Sequence, residues 1–172
     1  RRTGATTMPE VKSIIHETRI GGPPAMDKVC MPTAGCELPS GEIVVAESRE
    51  CRLPVLSPVD GSLVRHLVPE ERAFDSPCAL IVNEDGASLF VVMGQGITKL
   101  KLPDGNEVTR CRFGTSDTCI THAALVRGVL YVVNHRTSCI QTYDPATLKT
   151  LPCLFGRSAE LPPPDDELVF AE

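Results

Sequence analysis

One short apolar run returns four times along the chain, and this recurrence limits what the chain can fold into. The copies are IVVAE, LFVVM, LYVVN and LVFAE, starting at Ile43, Leu89, Leu130 and Leu168. Their spacings are 46, 41 and 38 residues. The flanks recur as well. Upstream, MPTAGCELPSG and SPCALIVNEDG each carry a proline nine residues before a turn glycine, Pro32 to Gly41 and Pro77 to Gly86. The third copy, CITHAALVRG, keeps the apolar run and Gly128 without the proline. Downstream come CRLPVL, GITKLKL and CIQTY, then the turns SPVDG, PDG and DPAT, then another short apolar piece. Each unit therefore reads strand, turn, strand, loop, strand, turn, strand.

The local chemistry agrees with that reading. The second strand of each unit is a continuous β-branched and apolar run, suited to burial on both faces. This places it beside the axis of the assembly. The third strand alternates, with Ile97, Lys99 and Lys101 on one side and Thr98, Leu100 and Leu102 on the other. Asp60-Gly61, Asp85-Gly86 and Asp104-Gly105 are strong hairpin signals. No stretch of these units keeps a helical period for three turns. The expectation is an all-β chain. A fixed period near 40 residues points to a β-propeller of four-stranded blades.

The blades are expected at 29–73, 74–115 and 116–160, with a partial blade at 161–172. Residues 1–28 form an N-terminal segment whose VKSIIHETRI reads as an outer strand of a split or preceding blade. Three arrangements stay open: the blades belong to a larger ring, VKSIIHETRI helps to close a four-bladed one, or an oligomer completes the ring.

The size, 172 residues, suits one domain with a real core. A net charge of -5 counts against nucleic-acid and anionic-membrane partners, which favour basic surfaces. No run of 18 apolar residues is present to span a bilayer. Eight cysteines, Cys30, Cys36, Cys51, Cys78, Cys111, Cys119, Cys139 and Cys153, show no CxxC spacing. Most sit inside apolar runs, where a free thiol acts as a small buried hydrophobe. With no signal peptide visible after Arg1-Arg2, free thiols lead us to expect an intracellular location, cytoplasmic or organellar.

The repeat resembles the NHL family of β-propellers. AFDSPCALIVNEDGASLFVV is similar to the first half of that pattern, through Phe74, Pro77 and Gly86. IVVAESRECRLPVLSPVDGSLV resembles the second half, with Glu47 at the usual aspartate position and Arg52-Leu53 for Arg-Ile. LYVVNHRTSCIQTYDP follows with Asn134 and Cys139-Ile140, and the second unit departs furthest, with Met93 and Gly96-Ile97. The resemblance covers roughly residues 29–172 and implies six blades as the commoner total. It also implies that the acidic residue after the core run accepts a hydrogen bond from a nearby backbone N–H or from the following arginine. There is no tryptophan, which argues against repeats of the Trp-Asp kind.

The chain offers little for chemistry. His16, His66, His122 and His135 fall on different presumed elements, with His122 alone on an inner run. Metal ligands must converge, so no metal or cofactor is expected. Among the carboxylates Glu47, Glu50, Asp165, Asp166 and Glu172, Glu47 and Glu172 hold equivalent repeat positions, which suits structure better than acid–base catalysis. No nucleophile motif occurs, and GQGITK is a hairpin loop rather than a phosphate cradle. RNA binding needs a basic rim with stacking aromatics. Aromatics make up only 4%, all at or beside strands, and Lys99, Lys101, Arg110 and Arg112 read as a solvated outer face.

What remains is the expectation of a non-catalytic interaction or structural module that displays loops to protein partners, as a free module or as a subunit of a larger assembly. The loops between second and third strands are SREC, GQG and HRTS. Their partner-facing residues are expected to be Arg49, Glu50, Gln95, His135 and Arg136. The alternatives are a metal-dependent propeller hydrolase, lactonase or lyase, and an RNA-binding NHL propeller.

Overall fold

Twelve strands, in three antiparallel sheets of four, make up the described part of a computed structural model covering residues 29, 31–68, 74–113 and 119–155. Blade 1 holds β1 (Pro32–Glu37), β2 (Ile43–Glu47), β3 (Pro54–Leu56) and β4 (Leu63–His66). Blade 2 holds β5 (Pro77–Val82), β6 (Ser88–Met93), β7 (Gly96–Lys101) and β8 (Glu107–Arg112). Blade 3 holds β9 (Ile120–Val126), β10 (Val129–Asn134), β11 (Cys139–Tyr143) and β12 (Thr150–Phe155). Within each sheet the strands pair in chain order. Such meanders stacked face to face are the blades of a partial β-propeller. The expected fourth apolar run and the VKSIIHETRI strand lie outside the described residues.

Burial explains why the three core runs differ. Blade 2 is sandwiched, so all of β6 is buried. Leu89, Val91 and Met93 pack with Val44, Ala46, Leu53 and Val55 of blade 1. Phe90 and Val92 pack the other way, with Leu130, Val132 and Tyr143 of blade 3. In β2 and β10 burial alternates instead, because among the described residues each has a neighbouring sheet on one face only.

One expectation is corrected. The strands that converge between blades are the first ones, with β5 packed between β1 and β9, and not the second. The second strand is apolar because a middle blade is covered on both faces. Its place in the sheet is one step outward from the axis.

The turns follow their residues. Gly61, Gly86 and Gly105 take φ of 71°, 68° and 75°, the left-handed region that glycine enters without a Cβ penalty. At the turn between β11 and β12 the same position is occupied by Leu148, at φ 55°. The equivalence is set by hydrogen bonds: Gly61 N–H to Ser57, Gly105 N–H to Lys101 and Leu148 N–H to Asp144 carbonyls.

The blades are also pinned by polar contacts. Thr33 donates to the Pro77 carbonyl across the blade 1–blade 2 junction. Lys99 Nζ donates to the Pro145 carbonyl at 3.0 Å while lying over the Phe90 ring, joining blades 2 and 3. The Lys99 stem thus covers the core while its charge stays at the edge.

Candidate functional site

The loops between second and third strands all close the same end of their sheets. In blade 1 that loop is 48–53, in blade 2 Gly94-Gln95, and in blade 3 135–138. The expected site residues are carried there. Arg49, Gln95, His135 and Arg136 are exposed and Glu50 is half-buried. They sit one loop to a blade, so the surface they define is a row along consecutive blades rather than a pocket.

Each long loop is tied down by a buried polar residue at the end of the second strand. In blade 1 this is Glu47, fully buried, whose Oε2 accepts from Arg52 Nε at 3.3 Å. Its backbone N–H donates to the Arg52 carbonyl at 3.0 Å, closing the loop as an isolated bridge. Ser48 N–H reaches back to the Met31 carbonyl at 3.3 Å. In blade 3 the anchor is Asn134, also buried. Its Oδ1 accepts from the backbone N–H groups of Cys119, Arg136 and Thr137 at 3.3, 3.1 and 3.4 Å. His135 N–H donates to the Cys119 carbonyl. In blade 2 the position is Met93, and the connection is a two-residue turn that the ladder itself holds, with Phe113 N–H on the Gln95 carbonyl. A short turn leaves few orphan backbone groups, so an apolar residue suffices there.

The backbone of these loops is unusual in a repeated way. Cys51 and Ser138, at equivalent places before the third strand, take φ of 55° and 51°. Non-glycine residues enter this region at a cost, and the side-chain anchors hold them in it.

Other polar groups form no reaction centre. His66 ends β4, half-buried, with Nδ1 lacking a hydrogen-bond partner. His122 lies exposed on β9 and His135 exposed in its loop. His16, Asp165, Asp166 and Glu172 lie outside the described residues. Among the described residues no group of three or more His, Cys, Asp or Glu is placed to hold a metal ion. Cys36, Cys51, Cys78, Cys111, Cys119 and Cys139 are free thiols. Burial pushes the Cys36 and Cys111 thiols up to about 11, as expected of core residues rather than nucleophiles. The opposite ends of the sheets carry acidic turns. Hydrogen bonds from Arg65 and Ser40 hold Glu42 below the usual carboxylate range, and those of Ser57 and Ser62 do the same for Asp60. The loop anchors Glu47 and Asn134 differ in residue type, so residue identity alone gave no signal that they share a task. Their common repeat position was that signal.

No family model matches the chain, and no curated protein matches it in sequence. In structure it is similar to solved β-propellers. Virginiamycin B lyase from Staphylococcus aureus is 18% identical with a TM-score of 0.57, over 70% of this chain and 40% of its own. The Cps50 (Swd1) β-propeller domain of Myceliophteria thermophila is 14% identical with a TM-score of 0.59, over 73% of this chain and 41% of its own. The extracellular domain of a hybrid two-component system from B. thetaiotaomicron is 19% identical with a TM-score of 0.54, over 68% and 15%. At such identities the likeness defines the fold: an all-β, partial propeller of four-stranded blades. The chain spans about two fifths of the length of the first two of these structures. No helix among the described residues is long and apolar enough to cross a membrane.

Proposed function

We propose that the chain is an NHL-like propeller module that acts as a non-catalytic scaffold for protein partners. Its working surface is the row of loops carrying Arg49, Glu50, Gln95, His135 and Arg136. The observation that carries this reading is the pair of buried anchors. Glu47 and Asn134 spend buried polar groups on fixing loops whose outward side chains take no part in the core. A loop held in one conformation loses less entropy on binding, which favours recognition over mere connection. Glu47 with Arg52 also matches the acid–arginine pair that the NHL resemblance implies.

The enzyme reading has less support. The described histidines lie on β4, on β9 and in a loop of blade 3, and they do not converge on one point. RNA binding has less support: Phe74, Phe90 and Tyr143 are buried and Phe113 and Tyr131 half-buried, so none of these rings is presented for stacking.

The test is a capture experiment from the source organism with wild-type chain and an Arg49→Glu/Arg136→Glu double variant, followed by purification of the captured protein and titration. A defined partner whose affinity falls at least tenfold in the variant supports the reading. A partner that binds both forms equally removes these loops from the function.

A further inference from the structure

The first strand of every blade is bulged at its second residue. In β1 the register slips between Pro32 and Ala34, so Thr33 is the extra residue. In β5 it slips between Pro77 and Ala79, so Cys78 is the extra residue. Bulges re-aim side chains. The re-aimed Thr33 hydroxyl lies 3.3 Å from the Ala46 carbonyl of its own blade and 2.5 Å from the Pro77 carbonyl of the next. Cys78 repeats the first of these contacts, with Sγ 3.3 Å from the Val92 carbonyl. In the repeat, the place of Pro77 in blade 3 is held by Ile120, which opens β9 across the junction from Cys78. Ile120 belongs to the cluster against which Cys78 packs, and Cys119 is the residue immediately before it. Cys119 is exposed and held in place, its N–H on Asn134 Oδ1 and its carbonyl on His135 N–H.

We propose that Cys78 and Cys119 form a redox modification site, in which oxidation joins blade 2 to blade 3 through a disulfide. The order of events follows from exposure. Burial, with a smaller contribution from nearby Cys119, pushes the Cys78 thiol up to about 11, so it is a poor first target. Exposed Cys119 reacts first. Its thiolate attacks a sulfur of a small disulfide oxidant such as oxidised glutathione and expels one glutathione thiolate. The Cys78 sulfur, having lost its proton to solvent, then attacks the Cys119 sulfur of the mixed disulfide and expels the second glutathione. Two protein thiols lose two electrons and two protons, and one oxidised glutathione becomes two reduced ones. Such a cross-link is reversible by thiols, as befits a sensing site rather than a structural staple.

The experiment uses the reduced full chain, incubated with graded oxidised glutathione, quenched by alkylation and digested with trypsin. Cleavage yields peptides 73–99 and 113–127, each with one cysteine. The expected product is these two peptides joined, absent in Cys119→Ser and in Cys78→Thr, the second giving β5 the residue that β1 already uses. The oxidised chain should also melt higher by roughly 5 °C, and dithiothreitol should reverse the shift. The proposal is overturned if Cys119 keeps its glutathione while Cys78 alkylates, if either pairs with another cysteine, or if neither reacts in excess oxidant while the chain stays folded.

Discussion

Glu47 and Arg52 meet across the mouth of the first display loop, with Oε2 and Nε 3.3 Å apart, the carboxylate side chain 1% exposed and the guanidinium side chain 23%. A carboxylate this deep is costly to hold without its cation. Arg52→Ala is therefore expected to cost about 2–3 kcal/mol, more than an exposed arginine would. Glu47→Gln keeps the shape and an acceptor and should cost less, about 1 kcal/mol. Urea unfolding of the two variants measures the difference. Equal losses would mean that the charge of the pair is irrelevant.

Asn134 performs the same task without a charge. Its single Oδ1 serves three backbone N–H groups, of Cys119, Arg136 and Thr137. Asn134→Ala strands these groups, and the loss should be about 2–3 kcal/mol. Asn134→Asp keeps the acceptor and should lose less. Hydrogen exchange reads the effect locally. The amides of Arg136 and Thr137 should exchange at least tenfold faster in Asn134→Ala, with those of β6 unchanged. Uniform acceleration across both regions would show that the anchor supports the whole fold and not the loop.

These two anchors mark how far the sequence can be read. The blade pattern was legible because apolar runs and Asp-Gly turns recur in register, and those signals are local. The loops carrying Arg49, Gln95 and His135 were legible for the same reason. The inward position of β1, β5 and β9 was legible only at His122, since the second strands were set beside the axis. Strand order across a sheet depends on which strand meets the neighbouring blade, and β6 is apolar for having two neighbours, a fact of tertiary packing. Nor did the residues foretell that Leu148 would take the left-handed place that Gly61 and Gly105 hold, since buried packing overrode backbone preference there.

Gly41 and Gly105 separate backbone preference from packing. Both have positive φ, 84° and 75°. A Cβ on Gly41 would meet nothing within 4 Å, whereas one on Gly105 would collide with the Leu67 carbonyl oxygen of blade 1. Gly41→Ala should cost only the left-handed penalty, about 1 kcal/mol. Gly105→Ala should cost about 2 kcal/mol more, because the blade 1–blade 2 contact has to open. Thermal melts of the two variants decide it; similar midpoints would mean that this turn does not bear on the junction.

Acid should loosen the turns before it reaches the core. Backbone and hydroxyl hydrogen bonds of Thr147, with that of Ala146, hold the Asp144 carboxyl below the usual carboxylate range, and Asp60 and Glu42 are held down by their own donors. For a carboxylate whose folded pKa lies below its unfolded value, the unfolded chain binds the proton more readily. Its stabilising effect is then complete above the ordinary carboxylate pKa and fades as pH falls through the folded one. Asp60 is exposed and Glu42 and Asp144 are half-buried in surface turns, so each effect is small and shrinks with added salt. The melting midpoint should fall as pH drops from about 6 to about 3. Asp144→Asn keeps the Oδ1 acceptor for Ala146 and Thr147 but cannot titrate. It should melt slightly lower than wild type at neutral pH and lose less on acidification, so that the two curves converge. A variant whose midpoint tracks the wild type at every pH would show that this turn carboxylate takes no part in acid unfolding.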